Sequence, residues 1–82
     1  MSKTEWDVTL DDQRHLVELD HGESLGKVKV RVDGEQVVED RTSSSADFRF
    51  EVAGRSAMIR IKQELGGLQH DYRLIVDGAE IP

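Results

Sequence analysis

Apolar and polar residues alternate with a period of two along most of this chain, whereas helical periodicity is almost absent. Successive side chains of a β-strand point to opposite faces of a sheet, so the alternation predicts strands with one buried face. Dipeptides that favour hairpin turns separate several of these segments: "DG" at 33–34, "AG" at 53–54, "GG" at 66–67 and "DG" at 77–78. We therefore predict eight short strands, at about 5–10, 14–20, 27–32, 36–40, 46–52, 55–63, 69–76 and 79–81.

The turns of the second half fix how its four strands pair. Two-residue turns at "AG" and "GG" set Phe48 opposite Ile59 and Ile59 opposite Leu74, and the last "DG" sets Leu74 opposite Ile81. A slip of one residue would bring Phe48 opposite Arg60, which a buried face does not accommodate. Strands five to eight are therefore predicted to form one antiparallel meander.

The first half is predicted to form a second meander. A loop at 11–14, a loop at 21–26 and a turn at 33–34 define its pairings: Leu10 opposite His15, Leu19 opposite Val28, and Val30 opposite Val37. The same register sets opposite charges against each other on the outer face, Asp20 against Lys27 and Glu18 against Lys29. Two meanders with one apolar face each predict an all-β sandwich of two antiparallel four-stranded sheets, with residues 1–82 as a single domain.

The two halves share a short segment, "VRVDGEQV" at 30–37 and "LIVDGAEI" at 74–81. Two interpretations are open. The similarity reflects internal pseudo-symmetry, or it is the same turn used twice.

The composition narrows the class of partner. Hydrophobic residues make up 37% of the 82 residues and charged residues 34%, which is typical of a small soluble domain. The formal net charge of −6 argues against nucleic acid or an anionic membrane as a partner. The absence of cysteine and of an apolar leader segment near the N-terminus fits a cytoplasmic protein.

The segment "LDHGESLGKVKV" (19–30) is tested as a phosphate-binding loop. A P-loop needs four residues between its glycines and a hydroxyl residue after the lysine, followed by a helix. Here three residues separate Gly22 from Gly26, and Val28 follows Lys27 at the start of a strand. The segment is therefore predicted to be a structural hairpin.

No metal, cofactor or catalytic site is predicted. His15 and His21 are six residues apart on one strand, which is about 20 Å at roughly 3.3 Å per residue. His70 belongs to the other sheet, and the serines at 43–45 have no histidine placed near them. We therefore expect no metal, no cofactor and no enzymatic activity.

One outer face has the composition of a contact surface. The registers set Met58 opposite Ile75 and Arg60 opposite Arg73, and methionine and arginine are enriched at interfaces. The alternative is a solvated sheet face on which Asp47 and Asp71 compensate the arginines. We expect a protein partner to bind there or at the loop from His21 to Lys27. A homodimer through an edge strand, 5–10 or 79–81, is also expected to be possible.

The segments "WDVTL" (6–10) and "HLVELDHGESLGKVKVRVDG" (15–34) resemble the Fas apoptotic inhibitory molecule family. The matching positions are Trp6, Val8, His15, Val17, Leu19, His21, Gly22, Gly26, Lys27, Val32, Asp33 and Gly34, with Gly67, Tyr72 and Leu74 in the later stretch "GGLQHDYRLIVDG". Leu25 departs from the serine that the family has before Gly-Lys, and the animal members carry two such domains in tandem.

The resemblance implies an antiparallel β-sandwich and a non-enzymatic activity. That activity is the suppression of death-receptor-induced cell death and the protection of other proteins from aggregation, through protein contacts. The alternative function is a small-molecule or carbohydrate-binding domain. Its weakness is that Trp6 and Tyr72 alternate with apolar residues and are predicted to lie in the core.

Overall fold

The computed structural model of the protein describes residues 2–22, 26–42, 44–64 and 69–82, and all regular structure in them is β-strand. The eight strands are β1 (Ser2–Leu10), β2 (Gln13–His21), β3 (Lys27–Val32), β4 (Glu35–Arg41), β5 (Ala46–Val52), β6 (Arg55–Glu64), β7 (Gln69–Val76) and β8 (Ala79–Ile81). Four of them have the predicted bounds, and the other four are longer by one to three residues. The described residues include no helix of the length and apolarity that a membrane span requires.

The strands of the described chain form two four-stranded antiparallel sheets. The first sheet has the order β1-β2-β3-β4 and the second the order β5-β6-β7-β8, so each is a meander in which neighbours in sequence are neighbours in the sheet. The chain divides correspondingly into two compact units, residues 1–43 and 44–82. The all-β class and the two predicted meanders are confirmed.

Each sheet buries one face, as the alternation requires. The buried apolar residues of the first sheet are Trp6, Val8, Val17, Leu19, Val28 and Val30, and those of the second are Phe48, Val52, Ala57, Ile59, Ile61, Leu74 and Val76. Burying a Val, Leu or Ile side chain contributes about 1.5–3 kcal/mol relative to leaving it exposed. These rows therefore supply the main driving force for the fold.

The register of the second sheet is the predicted one. Phe48 faces Ile59, and Ile59 faces Leu74 on the other side. Leu74 faces Ile81 at the end of the sheet. The "GG" turn at 66–67 lies outside the described residues, but the strands on either side of it pair as that turn predicted.

The predicted pairing of β1 with β2 is wrong by two residues. Leu10 faces Gln13 and not His15, and Trp6 faces Val17. The connection is a two-residue turn at Asp11 and Asp12, whose φ angles of 50° and 63° are both left-handed. A turn of this kind usually carries glycine or asparagine, so "DD" gave no signal for it.

The predicted pairing of β2 with β3 is also wrong by two residues, since Leu19 faces Val30 and His21 faces Val28. The N–H of Gly22 donates to the carbonyl of Lys27 over 2.8 Å, which extends the hairpin. A shift of two residues keeps every side chain on its original face, so both registers bury the same residues. The apolar pattern therefore cannot choose between them.

The shift replaces the predicted cross-strand charge pairs. Asp20 binds Arg31, with 2.7 Å between Oδ2 and Nη1, instead of Lys27. Glu18 binds Lys3 of β1, with 3.0 Å between Oε2 and Nζ, instead of Lys29.

A bulge interrupts the ladder between β3 and β4. Val32 faces Glu35 and Arg31 faces Gln36, but Val30 then faces Val38, so the predicted pairing of Val30 with Val37 is wrong. Val37 is the extra residue and is 40% exposed.

The two "VDG" turns occupy the same place in the two meanders, between the third and fourth strands. The N–H of Asp33 donates to the carbonyl of Leu16 over 2.8 Å, and the N–H of Asp77 donates to that of Ser56 over 2.9 Å. Both aspartates have left-handed backbones, with φ angles of 52° and 50°. The shared segment thus marks one equivalent position in two sheets of the same topology.

Candidate functional site

The outer face of β6 and β7 brings together the four residues predicted to form a contact surface. Met58 faces Ile75, and Arg60 faces Arg73 in the next pair. Met58 and Ile75 are half-buried and not fully exposed, while both arginines are exposed. We call these four residues the β6–β7 patch.

The two arginines of the patch are compensated by carboxylates on the same face. Arg60 Nε lies 3.1 Å from Asp47 Oδ1 of β5. Arg73 Nε lies 2.7 Å from Asp71 Oδ2, and its Nη1 lies 3.1 Å from Glu80 Oε1 of β8. The hydrogen bonds with Asp71 and then Glu80 raise the pKa of the Arg73 guanidinium above its ordinary value. Arg60 and Arg73 therefore lie side by side, and each has a carboxylate partner.

The apolar pair of the patch lies in a row with two further charged residues. Arg49 of β5 faces Met58, and Glu80 of β8 faces Ile75. Arg49 is exposed and has no ion pair with any described residue. The centre of this face is thus apolar, with three arginines beside it, and one of these is available to a partner.

The side chain of His21 does not lie on an exposed surface. His21 is only 4% exposed, and its Nε2 donates to the carbonyl of Thr42 over 3.1 Å. The imidazole therefore fixes the chain beyond β4 to the end of β2. The prediction that His21 contributes to a contact surface is wrong, because its side chain points to the buried face.

Lys27 remains exposed at the start of β3. It lines a shallow depression together with Glu39, Asp40 and Arg41 of β4. Residues 23–25 of the predicted loop lie outside the described residues. Lys27 and the β6–β7 patch belong to different sheets.

A cluster around Asp33 was missed by the sequence analysis. Asp33 Oδ2 accepts a hydrogen bond from His15 Nδ1 over 2.7 Å, and its Oδ1 accepts one from the N–H of Leu16 over 2.8 Å. The bond from His15, and then that from Leu16, lower the pKa of the Asp33 carboxyl. The cluster fastens the β3–β4 turn to β2, and only the correct β2–β3 register would have revealed it.

The hydroxyl and metal-binding residue types give no further site in the described ranges. Ser45 Oγ accepts a hydrogen bond from the N–H of Gln63 over 2.8 Å, so it stabilises the β5–β6 ladder. Residues 2–22, 26–42, 44–64 and 69–82 contain no group of three or more His, Cys, Asp or Glu placed to hold a metal ion. Ser43 lies outside these ranges.

Comparison with known proteins identifies the family. The family model "Fas apoptotic inhibitory molecule (FAIM1)" matches residues 2–81. The chain belongs to this family. Its β6–β7 patch and Asp33 cluster are therefore features of a FAIM1-family domain.

Curated FAIM1-family proteins are similar in sequence to this chain. Fas apoptotic inhibitory molecule 1 of Mus musculus is 31% identical over 80 residues, covering 93% of this chain and 44% of the mouse protein. The proteins of Homo sapiens and Bos taurus are each 30% identical over 80 residues, covering 44% and 39% of their own lengths. The chain thus spans about two fifths of the length of the curated relatives it matches.

Proposed function

We propose that this FAIM1-family chain is a non-catalytic domain that binds other proteins through the β6–β7 patch. The observation that carries the proposal is the half-buried pair of Met58 and Ile75 at the centre of a mostly charged outer face. Methionine and arginine are enriched at the cores of interfaces, where an apolar centre is surrounded by polar residues. The compensated arginines beside this pair supply such a rim.

The ion pairs of Arg60 with Asp47 and of Arg73 with Asp71 are also those that the alternative, a solvated sheet face, predicts. Asp47, Asp71 and Glu80 hold the arginines in fixed positions, which lowers the entropy lost when a partner orders them. Arg49, which has no ion pair with a described residue, would attract a carboxylate of the partner. The preferred partner surface is therefore apolar with an acidic residue beside the apolar contact.

The role that we propose follows the family. The relatives are named as inhibitors of Fas apoptosis, and the resemblance implies action through protein contacts. We propose that this chain protects other proteins from aggregation and, in cells with death receptors, restrains the death signal. A cytoplasmic location is supported by the absence of cysteine, and the net charge of −6 disfavours nucleic acid and anionic membranes.

The carbohydrate-binding alternative finds no support in the aromatic residues. Trp6 and Phe48 are buried. Phe50 and Tyr72 are half-buried, and Tyr72 stacks on His70 with ring centroids 6.2 Å apart. The chain has only these four aromatic residues, so none offers an exposed ring for a sugar to stack on.

The proposal is tested by placing carboxylates at the centre of the patch. The variant Met58→Asp/Ile75→Asp should fold but lose its ability to suppress light scattering by a heat-aggregating reporter protein. The matched control is Thr9→Asp/Leu16→Asp, which adds the same charge to the outer face of the first sheet, where Leu16 is also half-buried.

The control is expected to protect the reporter as the wild-type chain does. Circular dichroism and a thermal melt check that both variants are folded. Full protection by a folded Met58→Asp/Ile75→Asp variant would eliminate the patch as the binding surface. Equal loss in both variants would attribute the effect to charge and not to this face.

A further inference from the structure

The free edge of β1 differs from the other sheet edges of the described chain. β1 pairs with β2 over all nine residues from Ser2 to Leu10 without a register shift, and it contains no proline or glycine. An exposed edge of this kind is a template for another strand, and proteins usually protect such edges with bulges, shortness or charge.

The exposed side chains of β1 include charged ones too, but the three other edges offer a shorter or interrupted template. β4 pairs through a bulge at Val37, and β8 has only three residues. β5 has seven residues, and a second copy overlapping it fully would set Arg49 against its own equivalent and Asp47 against Glu51; the shifted register that pairs Asp47 with Arg49 overlaps only residues 46–50. Like charges placed directly opposite each other are destabilising.

The backbone hydrogen bonds show which groups β1 presents at its edge. The carbonyl of Leu16 accepts from the N–H of Asp33, so the backbone groups of Leu16 face β3. Asp7 faces Leu16 in the β1–β2 register, and the direction alternates along an antiparallel ladder. The N–H and C=O groups of Lys3, Glu5, Asp7 and Thr9 therefore point away from β2, and all four side chains are exposed.

We propose that two copies of this chain associate by antiparallel pairing of their β1 strands about a two-fold axis beside Glu5. In this register Lys3 of each copy faces Asp7 of the other, which gives two opposite-charge pairs and one Glu5–Glu5 pair. Residues 2–8 overlap, and about six backbone hydrogen bonds form, two for each of the three facing pairs.

Other registers of the same two strands are less favourable. Full overlap of residues 2–10 would set Glu5 against Asp7 twice. Relative to the proposed register, a shift towards the N-termini sets Lys3 against Glu5 twice, but it overlaps only residues 2–6. Charge and overlap together therefore select the axis beside Glu5. Because one strand edge buries little area, the dimer belongs to the weak, transient class.

This association uses a different surface from the β6–β7 patch, so the two proposals fail independently. Sedimentation equilibrium of the 82-residue chain from about 10 μM to about 1 mM should show a concentration-dependent approach to twice the mass of one chain. A chain that stays monomeric over this range overturns the proposal.

Two substitutions of one residue should act in opposite directions. Glu5→Thr removes the like-charge pair on the axis and should tighten the dimer by roughly two- to five-fold. Glu5→Pro removes the same carboxylate and also an N–H that faces away from β2; proline is tolerated at such an edge position, so the β1–β2 ladder should remain, but dimerisation should be abolished. Dimerisation of a folded Glu5→Pro variant at wild-type strength overturns the proposal.

The register is tested with single cysteines, since the chain has none of its own. Glu5→Cys places two thiols in a facing pair with about 5.5 Å between Cα atoms, within the range of a disulfide. Asp7→Cys offsets them by about 13 Å along the strands, four residues at roughly 3.3 Å each, which is beyond the range of a disulfide. Under a mild oxidant only Glu5→Cys should form a covalent dimer rapidly. Equal rates of cross-linking in the two variants overturn the register.

Discussion

The β1–β2 turn holds strain that a single substitution should release. Asp11 and Asp12 are both left-handed, with φ angles of 50° and 63°. The other three described two-residue turns, at 33–34, 53–54 and 77–78, have glycine in the second position with φ angles of 85°, 78° and 79°. We predict that Asp12→Gly stabilises the protein, because it gives this turn the Asp-Gly sequence found at 33–34 and 77–78.

The expected magnitude follows from two opposing terms. A left-handed backbone costs a residue with a Cβ about 1–2 kcal/mol, and aspartate lies at the lower end because its short side chain tolerates this region. Glycine loses more conformational entropy on folding, which offsets about 0.4–1 kcal/mol. The net gain in the free energy of unfolding is about 0–0.6 kcal/mol, and for a chain of this size Tm rises by up to about 5 °C.

The reciprocal substitution provides the matched control. Gly34→Asp converts an Asp-Gly turn into the Asp-Asp turn of residues 11–12, and a Cβ at Gly34 would meet no atom within 4 Å. Its effect is therefore due to the backbone, and a loss of similar size is expected. Thermal and urea unfolding measure both variants.

A second control separates strain from charge. Asp12→Asn removes the charge next to Asp11 but keeps the Cβ, so it should recover only part of the gain. A lower Tm for Asp12→Gly, with destabilisation by Gly34→Asp, would refute the account of strain at the first turn.

Two further predictions concern the first sheet. Val37→Asp at the bulge should change the free energy of unfolding by less than about 0.5 kcal/mol. Val38→Asp puts a charge opposite Val30 and should clearly destabilise the protein in urea unfolding. Equal effects of the two substitutions would contradict the observed register. Asp33→Asn should lower Tm most at pH above about 4. The folded pKa of Asp33 is depressed, so its stabilising effect is present above the unfolded value of about 3.9 and is lost as pH falls through the folded pKa. A Tm difference between wild type and Asp33→Asn that does not shrink from pH 5 to pH 2 would contradict this linkage.

The candidate site shows how far sequence reasoning reaches. Met58, Ile75, Arg60 and Arg73 are neighbours as predicted, because β6 and β7 pair in the register that the "GG" dipeptide at 66–67 predicts. His21 was wrongly predicted to be a surface residue. It lies an even number of residues from Val17 and Leu19 on the same strand, which already placed its side chain on their buried face. Glu80 as a partner of Arg73 was also missed, since it depends on the path of a three-residue strand.

The sequence by itself determined the strands, the buried face of each and the meander order, because a period of two assigns every side chain to one face. In the second sheet the glycine-containing turn dipeptides determined the register as well. Only the tertiary structure decided the registers of the first sheet, the bulge at Val37 and the contacts of Asp33. The physical reason is that a shift of two residues leaves the buried set unchanged. The choice then depends on backbone geometry at turns such as Asp11–Asp12, on which the apolar pattern carries no information.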